Sequence, residues 1–152
     1  MLRKLFVRSA AAVAVILMAA VAPAEEFSVE GTGEVMPDFT PINPNTYAFH
    51  VALSGTLTVG GESYEFADSV FDVVQIFPPG ESSSFYTMGM LDLGDGDSLT
   101  VATIEHYSRL SDCYEGMLQI VDGTGVFAGA RGSGMTLTCP PQGIFAWEGS
   151  IR

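Results

Sequence analysis

From Phe49 onward, apolar and polar positions alternate with a period of two. Phe49, Val51, Leu53, Leu57 and Val59 fall on one face, and His50, Ala52, Ser54, Thr56 and Thr58 on the other. This is the period of a half-buried β-strand, whose successive side chains point to opposite faces of a sheet. Gly60-Gly61 follows directly and supplies a tight hairpin turn, because backbone with positive φ costs glycine nothing. The same reading predicts eight strands, near 27–36, 47–59, 62–76, 84–93, 98–108, 113–121, 131–139 and 143–152.

The segments between the strands are turn chemistry. Pro78-Pro79-Gly80, Gly94-Asp95-Gly96-Asp97 and Pro140-Pro141-Gln142-Gly143 are too short for a crossover helix, so consecutive strands must run antiparallel. Pro37 to Asn45, with prolines at 37, 41 and 44, reads as an ordered extended loop. Eight strands in an up-and-down meander close most simply into an all-β antiparallel barrel of calycin-like plan, with a two-sheet β-sandwich as the alternative. An outer-membrane barrel also fits the strand number. Against it, the alternation breaks within 62–76 and the chain ends on Arg152, not on an aromatic residue.

Residues 1–24 stand apart from this pattern. Arg3, Lys4 and Arg8 give a basic start, Ala10–Ala22 is an apolar run, and Ala22-Pro23-Ala24 places small residues where a signal peptidase reads them. The expectation is a signal peptide cut after Ala24, leaving one domain over 25–152 in the periplasm or secreted. The apolar run is shorter than the roughly 20 residues a membrane anchor requires. Removing it also changes the electrostatics. The three basic residues that leave are half of the chain's six, while all 18 acids remain, so the domain carries three positive and 18 negative charges, net −15, and no lysine. Such a surface repels phosphate backbones and excludes nucleic acid as a partner. With 47% hydrophobic and 16% charged residues, the chain nevertheless has the composition of a folded domain.

The most distinctive stretch is Gly123-Thr124-Gly125-Val126-Phe127-Ala128-Gly129-Ala130-Arg131-Gly132-Ser133-Gly134. Gly123, Gly125 and Ala128 fit a dinucleotide-binding pattern by letter only, since no helix or βαβ unit follows. Physically it reads as a wide hairpin loop with Phe127 as an apolar plug over one end of the sheet. The Gly-Thr-Gly-x-Phe loop followed by Ala-Arg-Gly resembles the allene oxide cyclase and dirigent barrel superfamily. That resemblance implies an eight-stranded barrel, often a trimer, whose cavity holds a hydrophobic molecule. In the plant enzymes the cavity serves to cyclise a fatty-acid epoxide or to steer phenoxy-radical coupling. It also implies a cavity-lining role for Arg131.

Candidate chemistry outside that loop is sparse. His50 and His106 lie mid-strand with no second ligand two or four residues away, so they read as surface or hydrogen-bonded histidines, and no metal or other cofactor is expected. Asp92, Asp95 and Asp97 lack the spacing of a calcium loop and read as a hairpin turn. Hydrolase, metalloprotease and phosphate-loop motifs are absent from the sequence. Met88 and Met90 share a face with Tyr86, suited either to an apolar cavity or to core filling.

The two cysteines fix a register. Residue 126 is the midpoint of Cys113 and Cys139 and lies within the glycine-rich loop, so in an oxidising compartment the two should face each other across a hairpin and form a disulfide. Paired positions then sum to 252. Val121 falls opposite Arg131, Gln119 opposite Ser133, Met117 opposite Met135 and Glu115 opposite Leu137. One hairpin face carries Glu115, Met117, Gln119, Arg131 and Met135, and the other sets Tyr114, Leu118 and Ile120 against Gly132, Gly134, Thr136 and Thr138. The mixed polar and apolar face would suit a ligand cavity, with Arg131 orienting an oxygen of a small hydrophobic guest. Alternatively that face meets solvent and the Tyr-Leu-Ile face lines the interior. Two functions stay open: a barrel that binds, or binds and isomerises or cyclises, its guest, and a non-catalytic exported scaffold.

Overall fold

The structure is a computed structural model that describes residues 23–152; the signal peptide expected over residues 1–24 lies almost wholly outside them. Nine strands form one antiparallel sheet: β1 Glu25–Val35, β2 Thr40–Asn43, β3 Thr46–Val59, β4 Glu62–Ile76, β5 Ser84–Asp92, β6 Ser98–Ser108, β7 Cys113–Thr124, β8 Gly132–Cys139 and β9 Ile144–Ile151. Neighbours run β1-β9-β8-β7-β6-β5-β4-β3, and β1 pairs back onto β3. The barrel is therefore closed, as expected, and the sandwich alternative falls.

The additional strand is β2, within the segment read as a loop. It lies on the same edge of β3 as β1, with Val35↔Val51 in one ladder and Thr40↔Ala48 in the next. Residues 36–39 bulge out between the two, so β2 continues the barrel's first strand past an interruption. Prolines hide this from sequence, yet Pro41 is tolerated because an edge position leaves its missing N–H unneeded.

Two bulges explain the broken alternation. In β4 the register with β3 shifts between Leu53↔Ser69 and Gly55↔Phe66, where Asp68 has φ 52°. Phe71 and Val73 therefore face inward on odd numbers, and Tyr64 and Phe66 on even ones. In β7 the shift falls between Val101↔Ile120 and Thr100↔Asp122. Each extra residue flips the following side chains and keeps the apolar set inside.

The interior is filled at one end only. Phe27, Leu57, Leu91, Leu99, Leu118 and Ile151 belong to a single buried cluster, and Phe127 joins it as the plug expected of the glycine-rich loop, packing edge-on against Tyr64 with ring centroids 5.1 Å apart. That loop is tied to the 94–97 turn. The Thr124 hydroxyl donates to the Gly96 carbonyl at 2.7 Å, and the Val126 N–H donates to Asp97 at 2.9 Å. The motif carrying the resemblance thus closes the packed end of the barrel, and Asp92, Asp95 and Asp97 form a turn. On the outside, Glu30, Glu65, Asp72 and Glu148 are exposed, where a bilayer-spanning barrel carries an apolar band.

Candidate functional site: the open half of the barrel

Beyond Phe71 the packing stops. Phe71 is wholly buried and lies over Gly89, its cross-strand partner, where a Cβ would come within 2.4 Å of the ring. Above this floor is a cavity of about 410 Å³. Its wall is mostly apolar and aromatic: Val51, Val73, Phe85 and Trp147 line it, and Phe39 and Phe49 meet with ring centroids 4.9 Å apart. Phe39 is carried by the 36–39 bulge, so the interruption of the first strand supplies part of the mouth. Phe85 stacks on Tyr114 at 3.9 Å, and the Tyr114 hydroxyl accepts from Gln75 Nε2 at 3.2 Å. Tyr107 donates to Asp112 at 2.5 Å, which raises the Tyr107 hydroxyl above the ordinary tyrosine range.

The notable polar group is Glu105. It is only 4% exposed, and burial pushes its carboxyl above the ordinary glutamate range, only partly opposed by the nearby hydroxyls of Thr138, Thr103 and Thr136, the last of which stands close without completing a hydrogen bond. Oε1 accepts from the Thr103 hydroxyl at 2.8 Å. Oε2 has no hydrogen-bond partner among the described residues, and neither have Thr136 Oγ1 and Trp147 Nε1, both also buried. Among the described residues, no lysine or arginine lines the cavity. A buried carboxyl without a cation is most stable in its neutral form, in which it is an O–H donor. Glu105 was legible in principle, since it shares the parity of Leu99, Val101 and Thr103 on β6 and is thus an acid on an inward face.

The hairpin register is as expected, from Tyr114↔Thr138 through Met117↔Met135 to Ile120↔Gly132. Cys113 and Cys139 form the disulfide, with Cα atoms 4.4 Å apart. The face, however, is the reverse of the cavity reading. Tyr114, Leu118 and Ile120 point inward and are buried, whereas Glu115, Met117, Gln119, Arg131 and Met135 are all exposed on the outer surface. The reason is packing: the inward face meets Trp147 and Phe145 of β9, and Gly134 and Thr136 are small enough to admit them.

Arg131 is also at the wrong end for the cavity. It follows the plugged loop, exchanges backbone hydrogen bonds with Arg152 at 3.0 and 2.9 Å, and its guanidinium donates to the Ala130 carbonyl at 2.7 Å and to Asp122 at 3.3 Å. Met117 and Met135 instead join Tyr86 and Ile104 in one exposed row across β5 to β8. Met88 and Met90 are exposed as well, so these methionines neither fill the core nor line the cavity.

The histidines also lie on the outer side. The His106 ring Nδ1 hydrogen-bonds the Ser84 hydroxyl at 2.7 Å. His50 is held by Asp38 through Nδ1 and by Asp72 through Nε2, the latter at 3.0 Å. The Asp38 hydrogen bond raises the imidazole pKa and lowers that of Asp38 itself.

Fold and site together define a closed eight-stranded antiparallel barrel with one packed end and one apolar, acid-bearing cavity. No family model matches the chain, and no curated protein matches it. Among solved structures, it is similar to a protein of unknown function from Clostridium acetobutylicum ATCC 824, with a TM-score of 0.56 and 12% identity over 86% of this chain and 99% of the other. It also aligns with a pterocarpan synthase dirigent protein at a TM-score of 0.45 and 17% identity, over 97% of this chain and 96% of that one. At these identities the likeness concerns fold alone.

Proposed function

We propose that the protein is exported and binds one small hydrophobic molecule in the open half of its barrel. The observation that carries this reading is the contrast between the two ends. The interior of one is filled by the aliphatic cluster and the Phe127 plug, and the other leaves about 410 Å³ walled by aromatic side chains around a single buried acid. A barrel serving only as a scaffold has no reason to keep Glu105 inside, because a desolvated carboxyl costs stability unless it has a use. Export is supported by the order of residues 1–24 and is compatible with the disulfide; no helix among the described residues is long and apolar enough to cross a membrane.

Trp147 makes the test direct. It is the chain's one tryptophan and lines the cavity, so its fluorescence reports occupancy. Titration with the neutral apolar dye N-phenyl-1-naphthylamine should give saturable quenching of Trp147 at one dye per chain. Thr87→Phe, which fills the wall, should abolish it while leaving the circular dichroism unchanged. Dye binding that is non-saturable, or indifferent to Thr87→Phe, would place the dye elsewhere and end the reading. For export, the protein recovered from the periplasm or medium of a secreting host should have the mass of a chain beginning at Glu25.

A further inference from the structure

The three buried polar atoms without partners occupy one register row. Glu105 of β6 pairs with Gly116 of β7, Gly116 with Thr136 of β8, and Thr136 with Trp147 of β9. Gly116 contributes no side chain to the row, and a Cβ there would meet the Ile104 carbonyl at 1.9 Å, so no side chain of β7 stands between Glu105 and Thr136. Glu105 and Trp147 both line the cavity.

Donor inventory narrows what can complete this row. The indole N–H only donates, a threonine hydroxyl does either, and a neutral carboxyl donates through its O–H. The Glu105 O–H and the Trp147 N–H, both on the cavity wall, are two donors and call for an acceptor. A carbonyl oxygen, with two lone pairs and no charge, meets that demand.

Two other polar groups fit less well. A carboxylate would be a buried anion with no lysine or arginine lining the cavity, in a domain of net charge −15. An ammonium would require Glu105 ionised and would leave the indole N–H facing another donor. We infer that, given the cavity-binding reading on which this rests, Glu105 and Trp147, the two members of the row that line the cavity, recognise the uncharged carbonyl oxygen of an otherwise apolar guest.

The test uses four probes on one skeleton, each competing with N-phenyl-1-naphthylamine for the full domain: 2-acetylnaphthalene, 2-ethylnaphthalene, 2-naphthoate and 2-naphthylmethylamine. The ketone should compete about tenfold better than the hydrocarbon, the effect of one well-made buried hydrogen bond. The anion and the cation should do no better than the hydrocarbon. Glu105→Leu and Trp147→Phe should each reduce the ketone's advantage while dye binding, read in these variants by the dye's own emission, persists, whereas Glu105→Gln, which still donates through its amide, should keep most of it.

The advantage should also fade as rising pH ionises Glu105, with Tyr107, Tyr114 and Asp112 as the other titratable groups lining the same cavity. If the dye binds but ketone and hydrocarbon compete equally, a water completes the row and the inference is wrong. It is equally wrong if the naphthoate or the amine competes best. If neither the dye nor any probe binds, the cavity reading itself falls.

Discussion

At the residue scale, two titratable groups mark the difference between a useful and a merely stabilising position. Glu105 is raised by burial, so its stability contribution is present below the ordinary glutamate pKa and is lost as pH rises toward the shifted value. Glu105→Gln removes that dependence. The variant should match the wild type in Tm near pH 4 and exceed it at pH 8, measured by calorimetry across that range; a variant less stable at pH 8 would mean the carboxylate is paired and charged in the native state. His50 differs from Glu105 in kind, because its shift comes first from the Asp38 hydrogen bond, which outweighs the opposing desolvation. Its raised pKa contributes stability fully present below the ordinary imidazole range and lost as pH climbs through the folded value. Lowered Asp38 contributes above the ordinary aspartate range. The pair therefore acts in the mildly acidic window between those ranges. An NMR titration should show the His50 ring titrating lower in Asp38→Asn than in the wild type, and identical curves would show that Asp38 does not hold the ring in solution. Exposed as both groups are, salt should weaken the effect.

At the element scale, the hairpin β7–β8 shows what sequence could and could not specify. Its register was legible because two cysteines about a glycine-rich midpoint leave one alignment, and the ladder follows it from Tyr114↔Thr138 to Ile120↔Gly132. Its inward face was not, because both faces mix apolar and polar residues, and only the neighbour β9, with Trp147 and Phe145, decides between them. The assignment of Arg131, Glu115, Gln119, Met117 and Met135 to a cavity failed at that step. Glu105 was overlooked for a related reason: an acid beside His106 reads as surface until the parity of Leu99 and Val101 is carried through it. β2 was missed because three prolines mask an edge strand, and the β4 bulge at Asp68 obscured a strand whose inward side chains change parity. The disulfide joins the two strands at the end that bears the cavity, next to Tyr114 and Thr138. Replacing both cysteines by serine should lower unfolding free energy by roughly 3 kcal/mol, the loop-closure entropy of a loop this long. Urea denaturation measures it, and a loss near zero would show that the unfolded hairpin is already constrained without the bond.

At the scale of the whole molecule, the two ends of the barrel differ in packing, and the proposed binding would draw on only one of them. The packed end carries the plug of the glycine-rich loop and the large aliphatic side chains, and a side chain removed there leaves a void that a closed sheet cannot collapse around. Leu57 is wholly buried in that cluster, so Leu57→Ala should cost about 3 kcal/mol. Val51, on the same strand but half-buried on the cavity wall, already borders open space. Removing its methyl groups enlarges a cavity without creating one, and Val51→Ala should cost under about 1 kcal/mol. A bound guest reverses the relation. At a hundredfold excess over Kd it should add about 2.7 kcal/mol to the wild type, and the increment should shrink in Val51→Ala, whose wall it contacts, but stay unchanged in Leu57→Ala, whose void lies beyond the Phe71 floor. Thermal unfolding of the three proteins with and without N-phenyl-1-naphthylamine separates the two ends. Equal losses for Leu57→Ala and Val51→Ala without dye, or a dye increment that disappears in Leu57→Ala alone, would mean that the ends are not independent and that the guest occupies the packed half.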